Sequence, residues 1–167
     1  MEDSTKPIIK HSPDFLEYLA VEKGLSQKTQ ENYHKFLKKF FKFLKINKLE
    51  ELKPSELTQD RLWQYKVSLA NSPLKRSTQN YYLIALRAFL SYFSERNIPS
   101  LPPEKVKLAK DKTEKSVRFL NLEQIEKLLL APDTSKIQGL RDRAILEILF
   151  STGLRVAELV ALNRDQI

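Results

Sequence analysis

Between residues 26 and 46, and again between 77 and 97, large apolar side chains recur every three or four positions, a period that suits a helix and defeats a strand. Tyr33, Leu37, Phe40 and Leu44 mark the first stripe; Tyr82, Leu86, Phe89 and Phe93 mark the second. Each run predicts an amphipathic helix with one face against a core. Ser26 and Ser77 stand where an N-cap is wanted. Ser12-Pro13-Asp14 opens an earlier helix, with Ser12 as cap, Phe15 and Leu19 inward, and Gly24 closing it. Thr58 caps another that reaches Ala70, with Leu62, Tyr65 and Leu69 apolar and Trp63 and Val67 widening the stripe. Only three glycines occur in 167 residues. That leaves little material for tight β turns or a Gly-rich phosphate loop. The expectation is an all-α fold.

After Ile98 the pattern changes. Pro99, Pro102 and Pro103 precede a charged, aromatic-free tract over 105–115, so the sequence predicts a helical domain over 1–100 and a linker over 101–118. A second unit over 119–167 follows. Asn121 caps a helix over 122–130, a second helix spans 139–151, Gly153 breaks it, and a third runs over 154–162. Leu140, Ala144, Ile145, Ile148 and Leu149 are expected to face inward. Exposed apolar surface, with self-association through it, is expected there.

Charge separates the two parts. The chain carries a formal charge of +8, with +9 in residues 1–118 and −1 in the remainder. Residues 26–48 hold seven lysines and one acid, Glu31, and residues 61–94 hold no acid. At 100° per residue Lys28, Lys35, Lys38, Lys42 and Lys45 share one face of their helix. On the outer side of the 77–97 helix, Arg76, Asn80, Arg87, Ser91 and Ser94 fall in one arc. A single-sign field of this kind attracts polyanions, nucleic acid foremost. A solvated, lysine-rich face kept for solubility fits the same charges.

Other chemistry is poorly supplied. There are no cysteines, and His11 and His34 lie in no metal-ligand pattern, so no metal or cofactor is expected. No apolar run approaches the roughly 20 residues that cross a bilayer. Met1-Glu2-Asp3-Ser4 does not open a secretory signal. The expected setting is the cytoplasm. In the second unit, Arg155 follows a glycine break and opens a helix, where a guanidinium adds to the positive end of the helix dipole. Glu158, three residues on, is placed to hold it. On spacing alone the pair is equally an ordinary surface ion pair.

The run Thr152-Gly153-Leu154-Arg155-Val156-Ala157-Glu158-Leu159 resembles the first arginine box of the tyrosine site-specific recombinases, the Xer/phage-integrase family. Ser77-Thr78 through Ala85-Leu86-Arg87-Ala88-Phe89-Leu90 is similar to the last helix of that family's core-binding domain, a four-helix SAM-like bundle. Gly24-Leu25-Ser26, with Thr29 and Tyr33, is similar to its second helix. The likeness runs from about Phe15 to Ile167. It implies an enzyme that clamps double-stranded DNA between two domains as a tetramer of recombinase protomers. A tyrosine attacks the scissile phosphate, forms a 3′-phosphotyrosyl link, and needs no metal or nucleotide. It further implies that Arg155 contacts the non-bridging oxygens, as the catalytic arginine, with Glu158 as its support. For DNA contact it points to Lys28, Lys35, Lys38, Lys42, Arg76 and Ser77 along the backbone, and to Asn80 and Arg87 at base edges.

The family's His-x-x-Arg box and nucleophilic tyrosine do not occur in these 167 residues. Tyr18, Tyr33, Tyr65, Tyr81, Tyr82 and Tyr92 all precede the linker, at helical spacings that assign them to the core. The chain is therefore expected to bind DNA without catalysing its cleavage. The alternative is a stand-alone helical regulator that binds DNA or protein and has no recombinase activity.

Overall fold

A computed structural model describes residues 4–109 and 119–163. Among them are seven α-helices and no strand. The chain divides into two units, Met1–Thr113 and Glu114–Ile167.

The first unit holds α1 (Ser12–Val21), α2 (Gln27–Ile46), α3 (Gln59–Ala70) and α4 (Arg76–Glu95). Ser26 caps α2 through Thr29 N–H, and Thr58 caps α3 through Arg61 N–H, as their positions predict. Two other caps differ. A 3-10 turn, Ile8–His11, runs straight into α1, so Ser12 is the first helical residue and donates its N–H to the Ile9 carbonyl. At α4 the capping position is Lys75, which makes no side-chain cap bond, and Ser77 lies inside the first turn.

The apolar stripes meet in one core. Phe15, Leu19, Leu37, Phe40, Leu44, Leu62, Tyr65, Leu69, Leu86, Phe89 and Phe93 are all buried, as the periodicity requires. Phe89 sits at the junction: its ring centroid lies 5.0 Å from Phe15 in α1 and 5.9 Å from Phe41 in α2. Tyr65 anchors α3 by packing on Phe40 at 5.1 Å and Phe43 at 5.3 Å. Its buried phenol is pushed well above the ordinary value by desolvation, which makes it a poor nucleophile. Ile8 N–H donates to the Leu52 carbonyl at 2.7 Å and so ties the N-terminal segment to the α2–α3 connection.

The segment expected to be a linker from residue 101 belongs, up to Ala109, to this first unit. Ile98, Leu101 and Val106 are buried in the core, and a 3-10 turn spans Pro103–Lys105. Three well-spaced apolar residues outweigh the proline and lysine content that suggested an extended tether. Residues 110–118, the rest of that predicted linker, lie outside the described residues.

The second unit contains α5 (Leu122–Leu130), α6 (Ile137–Thr152) and α7 (Val156–Val160). Asn121 and Gln124 form a reciprocal capping box at the start of α5. Gly139 permits the first turn of α6 to touch the chain before it, since a Cβ there would lie 1.9 Å from the Asp133 carbonyl oxygen. Gly153 ends α6 in the left-handed region at φ +69°. Apart from Gly139 no described residue of this unit is fully buried, and Leu140 and Ala144, expected inward, are exposed. Phe119, Leu122, Ile137 and Val160 are also exposed, consistent with the expected surplus of apolar surface.

Two ion pairs fasten the α1–α2 corner to the end of α4: Lys23 to Glu95 at 3.1 Å, and Glu22 to Arg96. The Tyr18 hydroxyl and then the Lys23 ammonium hold the Glu95 carboxyl below its ordinary 4.5. A lowered folded-state pKa means that its stabilisation is complete above pH 4.5 and is lost as the pH falls through the lowered value. Glu95→Gln is expected to unfold at lower urea concentration than the parent at about pH 6 and to match it at about pH 2. An equal gap at both pH values would show that this carboxylate does not couple to folding.

Candidate nucleic-acid interface

The core contacts turn the charged faces outward. With Leu37, Phe40, Phe41 and Leu44 buried, the opposite side of α2 carries Lys28, Lys35, Lys38 and Lys42, all exposed. Lys28 is shared with Glu31 at 3.2 Å. Lys35, Lys38 and Lys42 have no carboxylate in ion-pair contact among the described residues. Their charge is uncompensated, so the field over this face is positive and polyanion-seeking.

On α4, Arg76, Ser77 and Arg87 are exposed, as their arc predicts. The surface around them is less uniform than the arc suggests. Arg76 and Asn80 line a groove against α3 with Trp63, Lys66 and Lys107. Arg87 lines a different groove, against α1 and the start of α2, with Tyr18, Lys23, Tyr33 and Glu95. Lys38 and Lys42 face a third, beside the start of α1. The set thus joins Arg76 to Asn80 and Lys38 to Lys42, and holds Arg87 apart from both.

Asn80 is engaged within the protein. Its Nδ2 donates to the Ala109 carbonyl at 2.9 Å, and its Oδ1 accepts from the Ala109 N–H at 3.1 Å. Lys66 Nζ donates to the Lys107 carbonyl at 2.9 Å alongside. The donor–acceptor pair that would read an adenine edge is therefore in use holding residues 107–109 against α3 and α4.

Two aromatic residues depart from the sequence expectation. Trp63, expected to widen the α3 stripe, is 65% exposed, and Tyr81, expected with the other tyrosines to pack in the core, is 55% exposed. Tyr81 stacks on Phe36 with ring centroids 5.9 Å apart and planes 10° from parallel. The angular signal for Trp63 was available: it stands about 100° around the helix from Leu62, outside the arc of Tyr65 and Leu69. Tyr18, Tyr65 and Tyr92 are buried as expected.

In the second unit, Arg155 occupies the N-cap position of α7 rather than its first turn. Glu158 Oε2 accepts from the Arg155 backbone N–H at 2.7 Å, and its Oε1 accepts from Nη1 at 3.1 Å. One carboxylate thus fixes both the main chain and the side chain of the arginine. The guanidinium remains open, with the side chain 85% exposed. Thr152 secures the approach: its hydroxyl donates to the Ile148 carbonyl and accepts from Leu154 N–H. The arrangement can present a fixed cation to a phosphoryl oxygen. No group of three or more metal-ligating side chains occurs among the described residues.

Comparison with known proteins agrees with both halves. Residues 13–97 match the phage integrase N-terminal SAM-like domain, and residues 118–167 match the phage integrase family. The chain is 34% identical over 155 residues to tyrosine recombinase XerD of Listeria monocytogenes, covering 92% of this chain and 52% of that protein. It is 35% identical over 157 residues to tyrosine recombinase XerC of Pelotomaculum thermopropionicum, covering 92% and 51%. The chain spans about half the length of the curated relatives it matches. The N-terminal domain of a phage integrase/site-specific recombinase from Haloarcula marismortui has a similar fold, with TM-score 0.56 and 18% identity, covering 62% of this chain and 97% of that one.

The clamp on residue 109 is directly measurable. Asn80→Ala removes the acceptor for the Ala109 N–H, and amide exchange at Ala109 is expected to quicken roughly 3- to 10-fold, the equivalent of about 0.5–1.5 kcal/mol. Unchanged exchange would mean that the hydrogen bond does not hold the segment in solution.

Proposed function

Since the chain belongs to the phage integrase N-terminal SAM-like domain family over residues 13–97 and runs on into the phage integrase family, we propose that it is the DNA-binding front portion of a site-specific tyrosine recombinase. The observation that carries this reading is the exposed, acid-poor face of α2. Lys28, Lys35, Lys38 and Lys42 contact phosphates there, and Arg76 and Ser77 add backbone contacts at the start of α4. Arg87 is the side chain that reads base edges, by its planar fork of donors. In the second unit Arg155 meets the non-bridging oxygens of the scissile phosphate, where charge builds in the transition state, and Glu158 orients it.

The reaction is strand cleavage and rejoining through a 3′-phosphotyrosine, and these 167 residues supply only the arginine to it. No tyrosine follows Tyr92 and no His-x-x-Arg box is present, so the fragment binds without cleaving. Its partners are duplex DNA and neighbouring recombinase protomers, and it acts in the cytoplasm at the nucleoid. Among the described residues no helix is long and apolar enough to cross a membrane.

Salt dependence tests the reading. Five phosphate contacts, from the four lysines and Arg76, predict a slope of about −4.5 for log K against log[salt], at about −0.9 for each. Lys35→Ala should flatten it by about 0.9, whatever the duplex sequence. The same titration on a nicked duplex should leave no covalent adduct. A flat salt response would remove the DNA reading and leave the protein-binding alternative. An adduct would overturn the non-catalytic assignment.

A further inference from the structure

Beside the start of α1, a groove of about 770 Å³ runs between the turn Ile8–His11, α1 and the second half of α2. Its apolar lining is Ile9, Pro13, Leu16 and Phe41, and around these stand Lys10, Lys38, Lys42 and Lys45. Among the described residues no carboxylate lines it. The groove at Arg87, by contrast, includes Glu95.

We propose that this groove binds an acidic, amphipathic helical segment of a partner protein, its large apolar side chains seated on Ile9, Leu16 and Phe41 and its carboxylates paired with the surrounding lysines. The argument is charge complementarity joined to an apolar floor. A DNA backbone is met by donors and cations and gains nothing from buried hydrocarbon. An amphipathic helix requires both elements, a groove for its apolar face and opposite charge at the edges. The lysine stems extend the apolar wall and leave their ammonium groups at its rim.

The spacing narrows the occupant further. Lys38, Lys42 and Lys45 follow an i, i+4, i+7 pattern along α2, which spreads them over about 10.5 Å. A helix lying alongside α2 with acids at the same spacing matches all three, and Lys10 meets it from the opposite wall. Lys38 and Lys42 also belong to the face proposed to hold DNA. The partner and the duplex therefore compete, which gives the groove a means of releasing the protein from DNA. Binding of the segment does not itself depend on the DNA reading.

The test uses the whole chain and two fluorescein-labelled synthetic helical peptides of equal negative charge. One carries leucines at i, i+4 and i+7 between glutamates, and the other carries serines in their place. The leucine peptide is expected to bind at least tenfold more tightly by fluorescence anisotropy. The ring-proton signals of His34, which lines the groove, should shift with it. Lys10→Glu with Lys45→Glu should weaken binding at least tenfold. Equal binding of the two peptides, or stationary His34 signals, would reduce the groove to part of a general polyanion face and overturn the proposal, as would an unaffected double variant with native circular dichroism. If the double variant does not fold, the peptide pair and the His34 signals on the unaltered chain decide.

Discussion

Phe89 packs between Phe15 of α1 and Phe41 of α2, with Phe93 of its own helix 4.6 Å away. Each ring pair contributes about 0.5–1.5 kcal/mol beyond the area it buries. The larger effect is geometric, because three helices pinned at one aromatic junction have little freedom to rotate about their axes. Once Leu37, Phe40 and Phe41 point at that junction, Lys35 and Lys42 must point at solvent. Once Phe89 and Phe93 point there, Arg76 and Arg87 are outside. The positive exterior follows from the aromatic interior.

That coupling explains why the basic side chains face outward, though not as one continuous surface. Sequence distance along one helix sets the arc of each side chain, but the grooves between helices decide which side chains meet. Arg76, Asn80 and Arg87 share an arc of α4 and nevertheless line two grooves. Residues 107–109, held by Asn80 and Lys66, form part of the wall of the first of these grooves. The second unit is built differently. Its helices are capped and joined by local bonds, at Asn121, Gly153 and Glu158, while its apolar side chains remain largely uncovered.

Helix existence and the core stripes were legible in the sequence because a 3.6-residue period leaves a direct mark on the order of apolar and polar residues. Ser26, Thr58 and Asn121 were legible as caps for the same reason: a short polar side chain before an apolar run has a specific backbone N–H to meet. Features that depend on distant residues were not. The burial of Leu101 and Val106 depends on the surface of the four helices, and nothing in the prolines around them announces it. Asn80 looked free to read DNA, because its partner lies 29 residues away in the chain. Tyr81 was placed in the core by residue type, whereas its ring rests on Phe36 at the edge. The Arg155–Glu158 pair was readable as a pair. The bond from the Arg155 main chain to Glu158, which fixes the orientation of the arginine, needed the turn at Gly153 to be seen.

The central claim is that one face of α2 is the surface that meets DNA. Lysine acetylation footprinting with mass spectrometry, on the free chain and with a saturating duplex at low salt, tests it most directly. Lys28, Lys35, Lys38 and Lys42 should be protected together, while Lys127 and Lys136 in the second unit, each paired with a carboxylate, keep their reactivity. Protection spread evenly over all lysines, or absent from Lys35 and Lys42, would contradict the account.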